Sequence, residues 1–154
     1  MITDFKGKTA FITGGAGGLG LSMARAFGHA GMNIVLADID TKAAEESAER
    51  LASEQIKAVP VHCDVSERGA VREAALEAIA AFGKVHIVCN NAGVAVGGPI
   101  GTVRDRDWDW IIDVNLKSVV YGHRGLHPAD QGAWRGWPFR QYGFDGGHDF
   151  AAGA

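Results

Sequence analysis

Residues Thr9–Gly20 read TAFITGGAGGLG, and this short segment indicates the class of fold. Its first five residues form an apolar run that predicts a buried strand, and the glycines after it predict a tight turn. A helix follows, because apolar residues recur at helical spacing until Gly31: Leu19, Met23, Ala26, Phe27 and Ala30. A strand, a glycine-rich turn and a helix in this order begin a βαβ unit.

The same alternation continues along the chain. Three further apolar runs predict strands: Asn33–Ala37, Ala58–Cys63 and Val85–Cys89. A second helix is predicted from the stripe Ala44, Ala48 and Leu51 with Asp40 or Thr41 as its cap, and a third from Val71, Ala74, Ala75, Ala78, Ile79 and Phe82 with Ser66 as its cap. A long fourth helix is predicted with one face made of Trp108, Ile111, Ile112, Asn115, Leu116 and Val119. Strict alternation predicts an α/β fold, a doubly wound, Rossmann-like parallel sheet of strand order 3-2-1-4 that is truncated after about four strands.

Composition places the chain among ordinary single domains. It has 154 residues, 47% hydrophobic and 21% charged, with a net charge of −3, which argues against a nucleic-acid partner. No apolar run approaches a membrane span, and Met1–Phe5 do not resemble the basic start of a secretory signal. Cys63 and Cys89 are too few for a disulfide framework, so we expect reduced core thiols, a cytoplasmic protein, no membrane contact and no metal site.

The glycine loop has the spacing of a dinucleotide-binding turn. Gly15, Gly17 and Gly20 satisfy GxGxxG, while Gly14, Gly18 and Gly20 satisfy TGxxxGxG. Both spacings serve the same need, since backbone N–H groups at a helix N-terminus must closely approach a diphosphate that a side chain would block. The loop between a predicted strand and a predicted helix therefore indicates a dinucleotide site.

Asp38 follows the second strand, 18 residues past Gly20. A carboxylate there can accept hydrogen bonds from an adenosine ribose and would repel a 2′-phosphate. Neither Ile39 nor the glycine loop offers a basic residue to offset that repulsion, so the sequence favours NAD over NADP. The alternative is that Asp38 is a helix cap, although Asp40 is better placed for that role.

Separated motifs resemble the short-chain dehydrogenase/reductase family in its classical form, from about Lys6 to Gly122. They are the loop TGGAGGLG, the pair Asp64-Val65 after the third strand, Asn90-Asn91-Ala92-Gly93 after the fourth, and Asn115 in the long helix. Taken singly, Asp64 could be a helix cap, the asparagine pair a turn, and Asn115 a polar residue on an apolar stripe. The resemblance implies that Asp64 holds the adenine amino group and that Asn115 is the helix asparagine of a catalytic tetrad.

Together, motif and resemblance give one set of candidate residues. For cofactor binding they are Thr13, Gly14, Gly15, Gly17, Gly18, Leu19, Gly20, Asp38, Ile39, Asp64, Val65, Asn90, Ala92 and Gly93, and the candidate catalytic residue is Asn115. The resemblance implies an oxidoreductase that transfers hydride between NAD and a small alcohol or carbonyl substrate. It also implies a homo-oligomer for the full-length parent, which is doubtful for this chain.

The reacting half of such an enzyme is missing from the sequence. The family uses a tyrosine whose pKa, ordinarily about 10, is lowered by a lysine four residues later. Here Tyr121 is followed at that distance by Gly125, and Tyr142 by Gly146. We therefore expect residues 1–122 to be an incomplete NAD-binding domain that is inactive alone. The alternatives are a non-enzymatic dinucleotide-binding module or partner subunit and, more remotely, an extended-type relative such as a nucleotide-sugar epimerase.

Residues 123–154 differ from the rest of the chain, since they contain no Ile, Val, Lys or Glu. Under the standard genetic code, a one-base shift permits the string GHFVNTASMAG over Trp137–His148, which resembles the family's fifth strand with its serine. The same shift permits Phe-Ile-Pro-Arg-Ile-Lys over Leu126–Gly132. We interpret this segment as a frame-shifted, poorly ordered tail, which would leave the fourth strand as an open edge.

Overall fold

The computed structural model describes residues 4–126 and 141–142. Five strands are present: β1 Thr9–Thr13, β2 Asn33–Asp38, β3 Ala58–His62, β4 Ile87–Cys89 and β5 Gln141–Tyr142. The helices are α1 Gly18–His29, α2 Thr41–Ser53, α3 Arg68–Phe82, α4 Asp105–Ile112 and α5 Ser118–Gly125, with a 3-10 turn at Ile100–Thr102 and a π-helical segment at Asp113–Lys117. The tail outside residues 123–126 and 141–142 lies beyond the described residues, and so does its predicted disorder.

All strands run parallel in one sheet of order β3-β2-β1-β4-β5. The predicted order of the first four strands is confirmed. β5 pairs with β4 at Val88 and Cys89, where we expected an open edge. The expectation was wrong at these two residues because a strand edge pairs through backbone groups, which any extended segment can supply.

The core lies on both faces of the sheet because side chains alternate along each strand. On one face Phe11, Val35 and Val88 pack with the alanine stripe of α3. On the other face Ile12 and Leu36 pack with α1 and α2. Every residue of β1 is buried, as expected for the centre of a doubly wound parallel sheet.

The helix termini follow the sequence in part. Asp40 caps α2, since its carboxylate accepts the N–H of Ala43. The predicted cap Ser66 is wrong, because the N-cap of α3 is Glu67 and the Ser66 hydroxyl donates to Asp64 instead. Of the face predicted for α1, Met23 and Phe27 pack partly buried against the core, whereas Leu19, Ala26 and Ala30 are exposed. Gly20 and Ala24 are the fully buried residues of this helix.

The long fourth helix is interrupted. It consists of α4, the π-helical segment and α5, and its inner face contains Val114 and Ser118. Four residues predicted for that face are exposed instead, namely Asn115, Trp108 at 49%, Ile112 at 42% and Leu116 at 61%. The prediction was wrong because it assigned the largest apolar side chains to the core, whereas smaller residues make the close contact.

Within residues 4–126 and 141–142, no helix combines the length and the apolar character that crossing a bilayer requires.

Candidate functional site

The carboxyl ends of the strands bring most of the candidate residues to one edge of the sheet. Thr13 and Asp38 end β1 and β2, while Asp64 and Asn90 follow β3 and β4. The chain reverses its direction of winding at β1, which has β2 on one side and β4 on the other. A crevice at such a switch point is where open α/β sheets bind ligands.

Three glycines of the loop are required by the packing of the protein itself. A Cβ on Gly20 would lie 2.1 Å from the carbonyl oxygen of Gly14, and a Cβ on Gly15 would lie 2.9 Å from that of Ile12. Gly14 has a φ of +63°, in the left-handed region, and a Cβ there would lie 3.0 Å from the Cα of Ala92. These glycines allow close packing of the loop against α1, β2 and the segment that follows β4.

Gly17 and Gly18 face open space. A Cβ on either would meet no atom of the described residues within 4 Å, and Gly17 has an extended backbone with a φ of −158° that any residue can adopt. Packing therefore does not explain the glycine at position 17. The first amides of α1 have no acceptor within the helix, so this open side of the loop can take an anion.

Asp38 is held by the loop and still has capacity to bind. Its Oδ2 accepts the N–H of Ala16 at 3.0 Å, and its Oδ1 accepts the N–H of Asp40 at 3.1 Å. A carboxylate has about four acceptor positions, so about two remain for a ligand. The alternative of a helix cap does not apply to Asp38, because Asp40 caps α2.

Asp64 accepts both the N–H and the hydroxyl of Ser66 on the same oxygen, Oδ1, at 2.9 and 2.7 Å. The other oxygen, Oδ2, takes neither of these bonds and can accept a hydrogen bond from a ligand. Val65 is buried in the core at 7% exposure, so that only its backbone could contact a cofactor.

Asn91, which the sequence analysis did not select, joins the glycine loop to β4. Its side-chain amide donates to the carbonyls of Thr13 at 2.9 Å and Gly14 at 3.2 Å. The Thr13 hydroxyl in turn accepts the N–H groups of Asn91 and Ala92, at 2.9 and 3.1 Å. The signal was present in the Asn-Asn pair, but the pattern could not show which asparagine makes the connection.

Asn90 points towards α5 rather than the loop. Its Nδ2 is buried and has no hydrogen-bond partner among the described residues, and a Cβ on Gly122 would lie 2.3 Å from its Oδ1. Its side chain is therefore fixed by close packing against the helix.

Asn115 lies in the π-helical segment and is hydrogen-bonded to the segment that follows β4. Its Oδ1 accepts the N–H of Val94 at 2.8 Å, and its Nδ2 donates to the carbonyl of Val94 at 2.8 Å. The Oδ1 atom also lies 3.4 Å from the position of a Cβ on Gly93. The candidates Gly93 and Asn115, distant in sequence, thus lie together, as π-helical turns at functional sites often allow.

Two apolar candidates are exposed at this edge, Leu19 at 61% and Ile39 at 63%. Leu19 lies in the first turn of α1, next to Gly17 and Gly18, and Ile39 follows Asp38. Exposed aliphatic side chains flanking a polar crevice are typical of a ligand site.

Two buried thiols and Tyr121 also lie in the described part of the chain. Burial raises the pKa of Cys63 to about 12 and that of Cys89 to about 11, so both stay protonated thiols. The ring of Tyr121 lies under the Arg68 guanidinium, 5.1 Å away. Among the described residues, no group of three or more His, Cys, Asp or Glu side chains could hold a metal ion.

Comparison with known proteins identifies the family of this chain. The sequence model of the short chain dehydrogenase family matches residues 8–134, a range that extends beyond the expected boundary near Gly122. A C alpha-dehydrogenase from Sphingobium is 42% identical over 120 residues, 77% of this chain and 39% of that protein. A CLA biosynthesis dehydrogenase/reductase from Lactiplantibacillus plantarum is 35% identical over 125 residues, 81% of this chain and 44% of that protein.

The fold is similar to a crystal structure of a short chain dehydrogenase/reductase from Burkholderia phymatum in complex with NAD. The TM-score is 0.79 at 38% identity, covering 82% of this chain and 45% of that one. The chain thus spans about half the length of the relatives that it matches.

Proposed function

The chain belongs to the short-chain dehydrogenase family, whose members are oxidoreductases that bind nicotinamide cofactors, and from this we propose that it binds NAD at the carboxyl edge of its sheet. The proposal assigns it the cofactor-holding part of an enzyme that acts on a small alcohol or carbonyl compound. The choice of NAD over NADP rests on Asp38, a half-buried carboxylate that can accept further hydrogen bonds.

The open side of the glycine loop would hold the diphosphate. Gly17 and Gly18 leave space there, and the amides at the start of α1 supply partial positive charge. Leu19 and Ile39, which are exposed, would then be covered by the bound nucleotide.

Asp38 would accept the ribose hydroxyls. A 2′-phosphate in the same place would bring two negative charges together, and neither the loop nor Ile39 supplies a cation to offset their repulsion. Asp64 would accept the adenine amino group through Oδ2, and Asn90, Ala92 and Gly93 would line the path towards Asn115.

The chemistry that NAD supplies when bound is acceptance of a hydride from the substrate carbon. Of the groups that act beside it in this family, Asn115 is the one present here, and it holds the Val94 backbone at that end of the site. No tyrosine in the 154 residues is followed four places later by lysine. We therefore expect binding of NAD without turnover by this chain alone.

A non-enzymatic dinucleotide-binding module remains the second candidate, supported by the same missing tyrosine and lysine. The two candidates differ in the coding DNA. We infer a frame shift near residues 121–123, so the shifted frame should continue into a serine strand and a Tyr-x-x-x-Lys helix. A shifted frame that soon reaches stop codons would instead favour the binding module.

We also infer that the parent protein is a homo-oligomer. Trp108, Ile112, Leu116 and Val120 follow one another at four-residue spacing along α4, the π-helical segment and α5, and all are exposed. We call these four residues the outer stripe. A helix that is apolar on two faces is ordinarily covered on both, which supports self-association through this stripe.

Replacing Asp38 tests the proposed cofactor. Asp38→Ala should raise the Kd for NAD about tenfold or more, since hydrogen bonds to a charged group contribute about 1.5–3 kcal/mol. It should also reduce the preference for NAD over NADP, because the repelling charge is gone. Titration calorimetry with both nucleotides measures the two effects.

The matched control is Asp40→Asn, which keeps an acceptor for the N–H of Ala43 but removes a nearby charge. Both Kd values should stay within about twofold of the unmodified chain, a change of about 0.4 kcal/mol. Equal effects of the two variants would contradict the assignment of Asp38 to the ribose.

A further inference from the structure

Ser47 belongs to α2, outside the glycine loop, yet its side chain forms a hydrogen bond with that loop. The residue is completely buried, and its hydroxyl donates to the carbonyl oxygen of Ala16 at 2.7 Å. A serine inside a helix usually bonds a carbonyl of its own helix or faces water. Here the bond reaches 31 residues back along the chain, so α2 is tied directly to the loop.

Ala16 is consequently held at both of its backbone polar groups. Its N–H donates to Asp38 at the end of β2, and its carbonyl accepts from Ser47 on α2. Gly15 and Gly17 on either side have no side chains and great conformational freedom, so backbone hydrogen bonds must fix this part of the loop. Because Gly17 is the N-cap of α1, the orientation of Ala16 sets how the chain enters that helix.

Arg50 supports the Ser47 hydroxyl from the surface. Its Nη2 donates to Ser47 Oγ at 3.3 Å, while its Nε donates to the carbonyl of Glu46 at 3.2 Å. A hydroxyl that accepts a hydrogen bond from a cation is polarised and becomes a stronger donor. The guanidinium therefore strengthens the bond between Ser47 and Ala16.

We propose that Ser47 is a positioning residue for dinucleotide binding. Together with Asp38 it fixes Ala16, and so holds the amides at Gly17 and Gly18 in the arrangement that receives a diphosphate. Ser47 touches no cofactor atom itself and acts through Ala16. This role rests on the proposed NAD site and adds to it a residue on α2 that controls affinity for the diphosphate portion.

The test compares NAD with adenosine, which lacks the diphosphate, by NMR titration of the whole chain. Ser47→Ala should raise the Kd for NAD about three- to tenfold, equivalent to about 0.7–1.4 kcal/mol, and that for adenosine by less than about twofold. Ser53→Ala is the matched control, since Ser53 lies on the last turn of α2 and its hydroxyl donates within that helix, to the carbonyl of Arg50. It should leave both values unchanged.

Arg50→Met is a second variant that leaves the buried side chain in place and should raise the Kd for NAD about twofold. Equal weakening of NAD and adenosine by Ser47→Ala would indicate a merely structural residue and overturn the positioning role. So would an unchanged Kd for NAD in Ser47→Ala or, should that variant not fold, in Arg50→Met. If the unmodified chain binds neither ligand, the proposed function itself fails and the positioning role fails with it.

Discussion

Gly17 and Gly20 lie three residues apart in the glycine loop, and a methyl group added to each would meet different surroundings. At Gly20 it would collide with the carbonyl of Gly14, whereas at Gly17 it would extend into open space. Gly20→Ala should therefore destabilise the fold by about 1–3 kcal/mol, a fall in Tm of roughly 3–10 °C. Gly17→Ala should lower Tm by no more than about 2 °C, the effect of a poorer N-cap, and weaken NAD binding at least about tenfold.

Each variant is the control for the other when thermal unfolding and NAD titration are measured together. Loss of stability in Gly17→Ala, or unchanged NAD affinity in that variant, would contradict the assignment of the open side of the loop to the diphosphate.

Asp38 and the loop glycines could be predicted from the sequence, because their chemistry requires particular residue types at a particular spacing. Asn91 and Ser47 could not, because each acts through a hydrogen bond to a residue far away in the chain. A polar residue on an otherwise apolar helix face was the available signal for Ser47, but the sequence alone cannot name its partner.

At the scale of elements, β1 and β4 are joined at their beginnings by Thr9 and His86. The ring nitrogen Nδ1 of His86 accepts the backbone N–H of Thr9 at 3.0 Å, and the backbone N–H of His86 donates to the Thr9 carbonyl at 2.9 Å. Burial, followed by the charges of Lys84 and Lys8, lowers the pKa of His86. Because the unfolded chain then binds a proton more readily than the folded one, stability should fall as the pH drops through about 6.5.

His86→Gln keeps an acceptor for Thr9 but cannot be protonated. Thermal unfolding measured between pH 7.5 and 5.5 should show a smaller loss of Tm in this variant than in the unmodified chain, with His62→Gln at an exposed position as the matched control. An identical pH dependence in the two chains would contradict this role of His86.

The order of strands and the existence of each helix could be predicted because β1–β4 and α1–α3 have strong periodicity and clear turns. The faces of the long fourth helix could not. Val114 and Ser118 pack inward, and the larger Trp108 and Leu116 form part of the outer stripe, since small residues allow the closest packing. The π-helical segment also adds a residue to the helix turn, which a fixed 3.6-residue period does not anticipate.

The outer stripe makes its own prediction. Leu116→Glu places a charge in its centre and should abolish self-association, because burying an unpaired charge in an apolar interface is costly. Leu76→Glu, at another exposed leucine on α3, is the control and should leave the assembly intact. Sedimentation velocity distinguishes the two outcomes, and a Leu116→Glu variant that associates as the unmodified chain does would contradict the inference.

For the whole molecule, we propose that this chain is the nucleotide-binding half of a short-chain dehydrogenase and that it binds NAD by itself. Two cores pack on the two faces of a parallel sheet, and the crevice at its switch point presents the glycine loop and Asp38 together. Because loop and carboxylate are fixed by bonds among β1, β2, β4 and α2, the site is formed by the described residues themselves.

Calorimetric titration of the purified chain with NAD and with NADP tests this proposal. We expect saturable one-to-one binding of NAD, with NADP weaker by at least about tenfold, or about 1.4 kcal/mol. No binding of NAD by a chain that unfolds cooperatively, or equal affinity for the two nucleotides, would contradict it.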